Sequence, residues 1–188
     1  SVVYSNTSGN TWRAVYTANA SDTDGAVTYS IAFSDTSGNA GTAVTSGSGS
    51  VTTDTTAPTL SNVSITSDNS TSTLAKANDD VALTFTASEA IGTPVVTFRS
   101  GGDAITDGSV VYRNTSGNTW TAVYTANASD TDGAVTYSIA FSDTSGNAGT
   151  AVTSGSGSVT TDTTAPTLSG VSIASDNTNT SKAKANDD

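Results

Sequence analysis

The chain of 188 residues contains no cysteine, no histidine and no methionine. Without cysteine it can form no disulfide, thiolate metal site or cysteine nucleophile. Without histidine it has no Ser-His-Asp triad and no imidazole base, and the usual zinc and copper sites are disfavoured. We therefore expect that the protein is not an enzyme. Because small secreted eukaryotic domains are usually rich in disulfides, an extracellular chain of this kind fits a bacterial or archaeal surface better.

Positive charge is also scarce, since 6 basic residues face 17 acidic ones and the net charge is −11. Binding to nucleic acid or to an anionic membrane needs basic patches, so neither partner is expected. No apolar run approaches the ~18–20 residues of a membrane span, and we expect no direct membrane insertion of this segment. Glu89 is the only glutamate. A preference for aspartate is typical of turns and of loops that bind cations.

What the sequence has in quantity is serine, threonine, glycine, asparagine and alanine, while hydrophobic residues make up only 34%. Threonine is β-branched and fits a half-exposed strand. No stretch combines helix-forming residues with a period of 3.6. The composition therefore predicts an all-β protein.

An internal repeat organises the chain. Tyr4 recurs as Tyr112 and Pro58 as Pro166, each with an offset of 108 residues. Only nine of the eighty pairs that align residues 1–80 with residues 109–188 differ. This period is far longer than that of a solenoid and matches the size of one sandwich domain. We predict the C-terminal part of a repeat (strands D–G) in residues 1–54, a complete repeat in residues 55–162, and strand A and the following loop of the next in residues 163–188. We expect the full protein to continue in both directions.

Short segments of alternating hydrophobicity, separated by turn residues, predict about seven strands in the complete repeat. Six large side chains are expected in its core: Phe85, Phe98, Trp120, Tyr137, Ile139 and Phe141. The predicted strands are A at Val63 and Ile65, B over 81–87, C over 95–98, D over 109–112, E over 120–124, F over 135–141, and G over 150–153. An alternative prediction extends strand G to Val159.

Four segments carry a resemblance: Asp-Thr-Thr-Ala-Pro-Thr-Leu at 54–60, Leu-Thr-Phe-Thr-Ala-Ser-Glu at 83–89, Ser-Gly-Asn-Thr-Trp-Thr-Ala at 116–122 and Phe-Ser-Asp-Thr-Ser-Gly-Asn-Ala at 141–148. The whole chain resembles the bacterial immunoglobulin-like domains that are strung in tandem through large surface proteins and adhesins. The resemblance implies Greek-key β-sandwich domains at the cell surface, with neighbouring repeats of the same chain as partners. It also implies a stalk or spacer function.

The aspartates suggest a cation site. Asp-Thr-Asp-Gly at 22–25 provides alternate carboxylates before a glycine turn, although the later ligands of an EF-hand loop are missing. In tandem sandwiches this loop and the linker would meet the next domain. We therefore hypothesise that Ca²⁺ stiffens the junction, against the alternative of ordinary turn chemistry. The predicted ligands are Asp22, Asp24, Asp54, Glu89 and Asp143, with Asp130, Asp132 and Asp162 forming an incomplete second junction.

Two other functions remain open. In the first, the chain is a building block of a self-assembling extracellular filament or sheath, in which identical chains pack together or exchange strands. In the second, it is a carbohydrate- or protein-binding module that binds its ligand through exposed aromatic side chains. Tyr4 and Tyr112 in strand D are the best candidates for that role.

Overall fold

The computed structural model describes residues 2–188, which form strands, turns and isolated bridges but no helix. Within this range no helix is long and apolar enough to span a membrane. The thirteen strands are β1 (Val2–Ser8), β2 (Thr11–Tyr16), β3 (Gly25–Ala26), β4 (Thr52–Thr53), β5 (Leu60–Ser67), β6 (Leu74–Ala75), β7 (Asp80–Ala87), β8 (Val95–Ser100), β9 (Asp103–Ala104), β10 (Val111–Ser116), β11 (Thr119–Thr125), β12 (Gly133–Ala140) and β13 (Thr160–Thr161).

Two sheets build the complete repeat. One has the strand order β10-β11-β7-β5 and is antiparallel throughout. The other has the order β6-β13-β12-β8-β9, and only its β6–β13 pair is parallel. This confirms the predicted all-β class with a sandwich-like arrangement. Predicted strands A, B, C, E and F correspond to β5, β7, β8, β11 and β12.

The core lies between the two sheets because each strand turns alternate side chains inward. Along β7, Val81, Leu83 and Phe85 are fully buried. The rings of Phe98 on β8 and Tyr124 on β11 meet across the core with centroids 4.8 Å apart. Of the six predicted core residues, Phe85, Phe98, Ile139 and Phe141 are buried, whereas Trp120 and Tyr137 are only partly buried and pack against the core.

The end of the repeat departs from the prediction of a continuous strand G over 150–153 or to Val159. Only β13 is a strand here, and isolated bridges join Val152 to Ile139 and Ser156 to Ser64. The segment pairs first with β12 and then with β5. It lies so close to the backbone of β5 that only glycine fits at the points of contact. A Cβ at Gly155 would lie 2.4 Å from the carbonyl oxygen of Val63, and one at Gly157 would lie 2.3 Å from that of Ile65. Predicted strand D also shifts, from 109–112 to β10.

The two partial repeats are less regular. Residues 2–54 form the hairpin β1–β2 and the short pair β3–β4. Because β3 matches only the first two residues of β12, the counterpart of predicted strand F at 27–33 is not a strand and makes only an isolated bridge at Ile31. Residues 163–175 form no strand, which corrects the prediction of a strand A around Val171 and Ile173. Their counterparts in β5 are held by β7, and no counterpart of β7 lies beside Val171 in the described chain.

Candidate functional site

Three carboxylates converge where the linker after residue 54 meets the complete repeat. Asp54 follows β4, Glu89 follows β7, and Asp143 follows β12. One oxygen from each lies within 4.8 Å of the other two. Three residues that are far apart in the sequence are thus brought to one end of the sandwich.

A tight turn fixes Asp143, which is buried. Its Oδ1 accepts hydrogen bonds from the backbone N–H groups of Ser145, Gly146 and Asn147 at 2.9, 2.7 and 2.8 Å. Its Oδ2 accepts one from the Asn147 side chain at 2.7 Å. Burial opposes ionisation, but these donors outweigh it and lower the pKa of Asp143 below its ordinary value. The carboxylate is therefore charged and held in one orientation.

The same turn holds the linker. Oδ2 of Asp54 accepts a hydrogen bond from the Ser145 hydroxyl at 2.9 Å, and the backbone carbonyl of Asp54 accepts one from the Asn147 amide at 3.1 Å. Asn147 thus bridges Asp54 and Asp143. The turn positions both carboxylates at once.

Glu89 faces an unfavourable environment. Loss of solvent raises the pKa of Glu89 above its ordinary value, and the charges of Asp54, Asp143 and Asp24 raise it further. A bound cation would reverse this effect because it stabilises the charged forms of all the surrounding carboxylates.

Asp24 clamps the linker. Its Oδ1 accepts hydrogen bonds from the backbone N–H and the hydroxyl of Thr55 at 2.7 and 2.8 Å, and its Oδ2 accepts one from the Thr56 hydroxyl. These bonds, that of Thr56 foremost, lower the pKa of Asp24. Asp24 influences Glu89 electrostatically, while its own oxygens are engaged with the linker.

Asp22 forms hydrogen bonds within and beside its own loop. One oxygen accepts hydrogen bonds from the Tyr16 hydroxyl and from the backbone N–H of Asn19. Among residues 2–188, the group of carboxylates close enough to share a metal ion comprises Asp54, Glu89 and Asp143. The predicted five-residue site thus divides into three convergent carboxylates, a linker clamp at Asp24 and a loop-forming Asp22.

The second junction repeats the clamp. Asp132 accepts hydrogen bonds from the N–H and hydroxyl of Thr163 at 2.7 and 2.9 Å, and from the Thr164 hydroxyl at 2.7 Å. Asp162 accepts one from the Thr164 N–H at 3.1 Å. Asp130 is buried and accepts bonds from the N–H groups of Thr106 and Asn127, both at 2.8 Å. Asp130 therefore joins two loops of its own repeat.

Sequence reasoning missed the donors at the junction, which are Thr55, Thr56, Ser145 and Asn147. The available signal was the repetition of Asp-Thr-Ser-Gly-Asn at 35–39 and 143–147. In the first copy, Asp35 likewise accepts bonds from the N–H and side chain of Asn39, both at 2.8 Å. The turn is therefore a local unit that folds the same way in both copies.

The convergent carboxylates have the chemistry of a site for a hard divalent cation. Ca²⁺ binds oxygens at about 2.3–2.6 Å, so two of its ligands lie at most about 5 Å apart. The 4.8 Å limit on the three oxygens fits one such ion. Water or second carboxylate oxygens would complete the six to eight ligands that Ca²⁺ takes.

Tyr112, one of the two tyrosines considered for ligand binding, is bonded to the backbone of β8. The Tyr112 hydroxyl accepts a hydrogen bond from the Val96 N–H at 2.9 Å and donates one to the Val96 carbonyl at 3.3 Å. Tyr112 also packs against the core. Its counterpart Tyr4 is exposed, on a hairpin that has no neighbouring sheet in the described chain.

Comparison with models of known protein families, with curated protein sequences and with solved structures finds no match to this chain.

Proposed function

We propose that the chain is a structural segment of an extracellular tandem array, a stalk or spacer of a bacterial surface adhesin built from immunoglobulin-like repeats. The strand order supports the fold assignment. The order β10-β11-β7-β5 in one sheet, and β8-β12-β13 within the five-stranded other sheet, matches the D-E-B-A and C-F-G order expected of a constant-type immunoglobulin domain. The lack of cysteine and histidine supports a function without catalysis.

The near-identity of the repeats supports the spacer function, because a spacer needs a fixed length per repeat and no specialised surface in any one of them. The acidic, cysteine-free composition favours an extracellular location in a bacterium or archaeon. Neighbouring repeats of the same chain are then the main partners.

The single observation that carries the proposal is the junction at Asp54. Asp24 of one repeat holds the linker at Thr55 and Thr56, while Ser145 and Asn147 of the next repeat hold it at Asp54. The short linker is bonded on both sides and has little freedom to bend. Successive repeats would therefore keep a defined orientation, as a stalk requires.

We further propose that Ca²⁺ binds at Asp54, Glu89 and Asp143. Three carboxylates so close together repel one another, and the pKa of Glu89 is raised by loss of solvent and further by the charges of its neighbours. A divalent cation would replace repulsion by attraction and connect the linker to two loops of the repeat.

Calorimetric titration of the full chain with CaCl₂ tests the cation. We expect one site per chain, lost in Glu89→Gln, which removes a ligand charge without removing a hydrogen bond of the turn. The matched control is Asp35→Asn, which changes the equivalent of Asp143 in the partial repeat and should leave binding intact. Equal binding by the wild type and Glu89→Gln would refute the site but not the stalk. MgCl₂ serves as the comparison ion, because Mg²⁺ demands a stricter octahedral geometry.

A further inference from the structure

The linker that enters the complete repeat and the linker that leaves it lie at opposite ends of β12. Asp54 is bonded to Ser145 and Asn147, which follow the end of that strand. Thr161 pairs with Gly133 at the start of the strand. The eight residues of β12 span about 24 Å at ~3.4 Å per residue. Tension on a tandem array would therefore pass along the strands of each repeat.

The first and last segments of the repeat run side by side in the same direction. Ser64 of β5 and Ser156 form a parallel bridge, and further along β13 pairs in parallel with β6. One linker is attached to the beginning of β5 and the other to the end of β13. Tension therefore pulls the two segments in opposite directions along their common axis. A pull of this kind slides one segment past the other instead of separating them from one end.

Main-chain hydrogen bonds join the two segments at β5. The Ser156 N–H donates to the Val63 carbonyl at 2.8 Å, and the Ile65 N–H donates to the Ser156 carbonyl at 3.1 Å. The Ser156 hydroxyl donates a further bond to the Val63 carbonyl at 3.1 Å. Gly155 and Gly157 allow this contact, because a Cβ at either position would lie 2.4 Å or less from a carbonyl oxygen of β5.

A second pair of main-chain bonds joins the segments at β6. The Thr160 N–H donates to the Thr73 carbonyl at 2.9 Å. The Asp162 N–H donates to the Ala75 carbonyl, also at 2.9 Å. Sliding strains the bonds at β5 and at β6 together, whereas peeling from one end would break them one after another. Breaking several bonds in one step is slower than breaking them singly, because each bond adds to the same barrier.

We propose that the complete repeat is a tension-resistant unit, in which the pairing of residues 150–162 with β5 and β6 opposes a force applied through the two linkers. The inference rests on the proposed stalk function, because only a chain held at both ends is under tension. It concerns the lifetime of the fold under force, which depends on the rate of unfolding. None of the three proposed calcium ligands lies in residues 150–162, so the proposal is tested in excess chelator.

Pulling the complete repeat in two directions at the same constant force provides the test. The full chain contains no cysteine, so a pair of introduced cysteines gives unique attachment points. Ala57→Cys with Ala165→Cys applies the force through the two linkers, at positions 108 residues apart. Ala128→Cys with Ala165→Cys applies it at one end of the sandwich, where β12 begins and β13 ends. All three alanines are exposed.

We expect the fold to last at least about tenfold longer when the force acts through the linkers than when it acts at one end. In the second direction the last segment is peeled from β12 bond by bond. Equal lifetimes, or a longer lifetime in the second direction, would overturn the proposal. Such a result would leave the stalk standing as a spacer, because the scattering of the unloaded protein tests the stalk separately.

A proline substitution tests the bonds at β5. Ser156→Pro removes the N–H that donates to Val63, and it should shorten the lifetime about fivefold when the force acts through the linkers. Ser154→Pro is the control, because the Ser154 N–H donates no main-chain hydrogen bond within residues 2–188. Near-ultraviolet circular dichroism shows whether each variant is folded, and the comparison of the two directions decides the question if Ser156→Pro is not. Equal lifetimes of the two folded variants would contradict the role of these bonds.

Discussion

The carboxylate of Asp132 holds Thr163 by two hydrogen bonds, one from its backbone N–H at 2.7 Å and one from its hydroxyl at 2.9 Å. Asp24 makes the same two bonds to Thr55 in the preceding junction. The residue that follows each aspartate is a glycine with a positive φ, 143° at Gly133 and 138° at Gly25. The same local geometry thus holds the linker after each repeat.

Removing the clamp should release the linker while leaving the sandwich intact. In Asp132→Ala we expect the Thr163 amide to exchange with solvent at least about tenfold faster, because a charge-assisted bond is worth about 1.5–3 kcal/mol. Amide hydrogen exchange by NMR measures this directly. The Thr55 amide serves as the internal control and should not change; unchanged exchange at Thr163 would show that Asp132 does not restrain the linker.

Tyr112→Phe should destabilise the complete repeat by about 1 kcal/mol, because the Val96 N–H and carbonyl on the edge of β8 lose their partner. Urea unfolding followed by tryptophan fluorescence measures the change. Tyr4→Phe, the same substitution in the partial repeat, should have no effect on this transition. Equal effects of the two substitutions would mean that the hydroxyl of Tyr112 contributes nothing specific.

Gly157→Ala should be among the most damaging small substitutions, since the added carbon would lie 2.3 Å from the carbonyl of Ile65 at a φ of 77°. We expect a loss of about 1–3 kcal/mol in the free energy of unfolding. Gly49 is its counterpart, with a φ of 85° and no atom within 4 Å of an added carbon. Gly49→Ala should therefore leave the unfolding of the complete repeat unchanged, and similar melting of both variants would contradict the close approach to β5.

Asp79 should make the complete repeat sensitive to acid. Hydrogen bonds from the Asn69 side chain and from the Lys76 N–H and Nζ lower the pKa of Asp79 from 3.8 to about 2. A carboxyl group with a lower pKa in the folded state stabilises the fold above its unfolded pKa, and this stabilisation is lost as the pH falls through the folded pKa.

Melting temperatures measured between pH 5 and pH 2 test this dependence. The wild type should lose stability across that interval, and Asp79→Asn should begin less stable but decline less steeply. Asp187→Asn changes the equivalent position in the partial repeat and should leave the profile of the complete repeat unchanged. Parallel profiles for wild type and Asp79→Asn would contradict the assigned pKa.

The parts of the fold that follow from alternation could be predicted from the sequence. Val81, Leu83 and Phe85 alternate with polar residues, and their burial in β7 follows from the geometry of a strand. Strand G could not be predicted in the same way, because Gly155 and Gly157 owe their role to the carbonyls of β5, which are distant in the sequence. The bulge at Asn62, where φ is 51°, likewise has no signal in the sequence pattern.

The candidate site was predicted in part for a similar reason. Knowing which loops share one end of a sandwich was enough to bring Asp54, Glu89 and Asp143 together. It was not enough to place Asp22 and Asp24, because their oxygens are taken by neighbouring donors, Tyr16 for the former and Thr55 for the latter. Competition between a shared site and local hydrogen bonds is decided by side-chain geometry, which a sequence pattern does not contain.

Small-angle X-ray scattering shows whether the junction at Asp54 is a stiff connection that depends on calcium, as we propose. The sample is a protein of two complete repeats joined by the Asp-Thr-Thr-Ala-Pro linker, measured with CaCl₂ and then with excess chelator. We predict an elongated particle whose maximum dimension shortens and whose flexibility increases when Ca²⁺ is removed. Identical scattering in the two buffers would contradict stiffening by Ca²⁺ and would leave the aspartate clamp and the proline linker as the only determinants of the geometry.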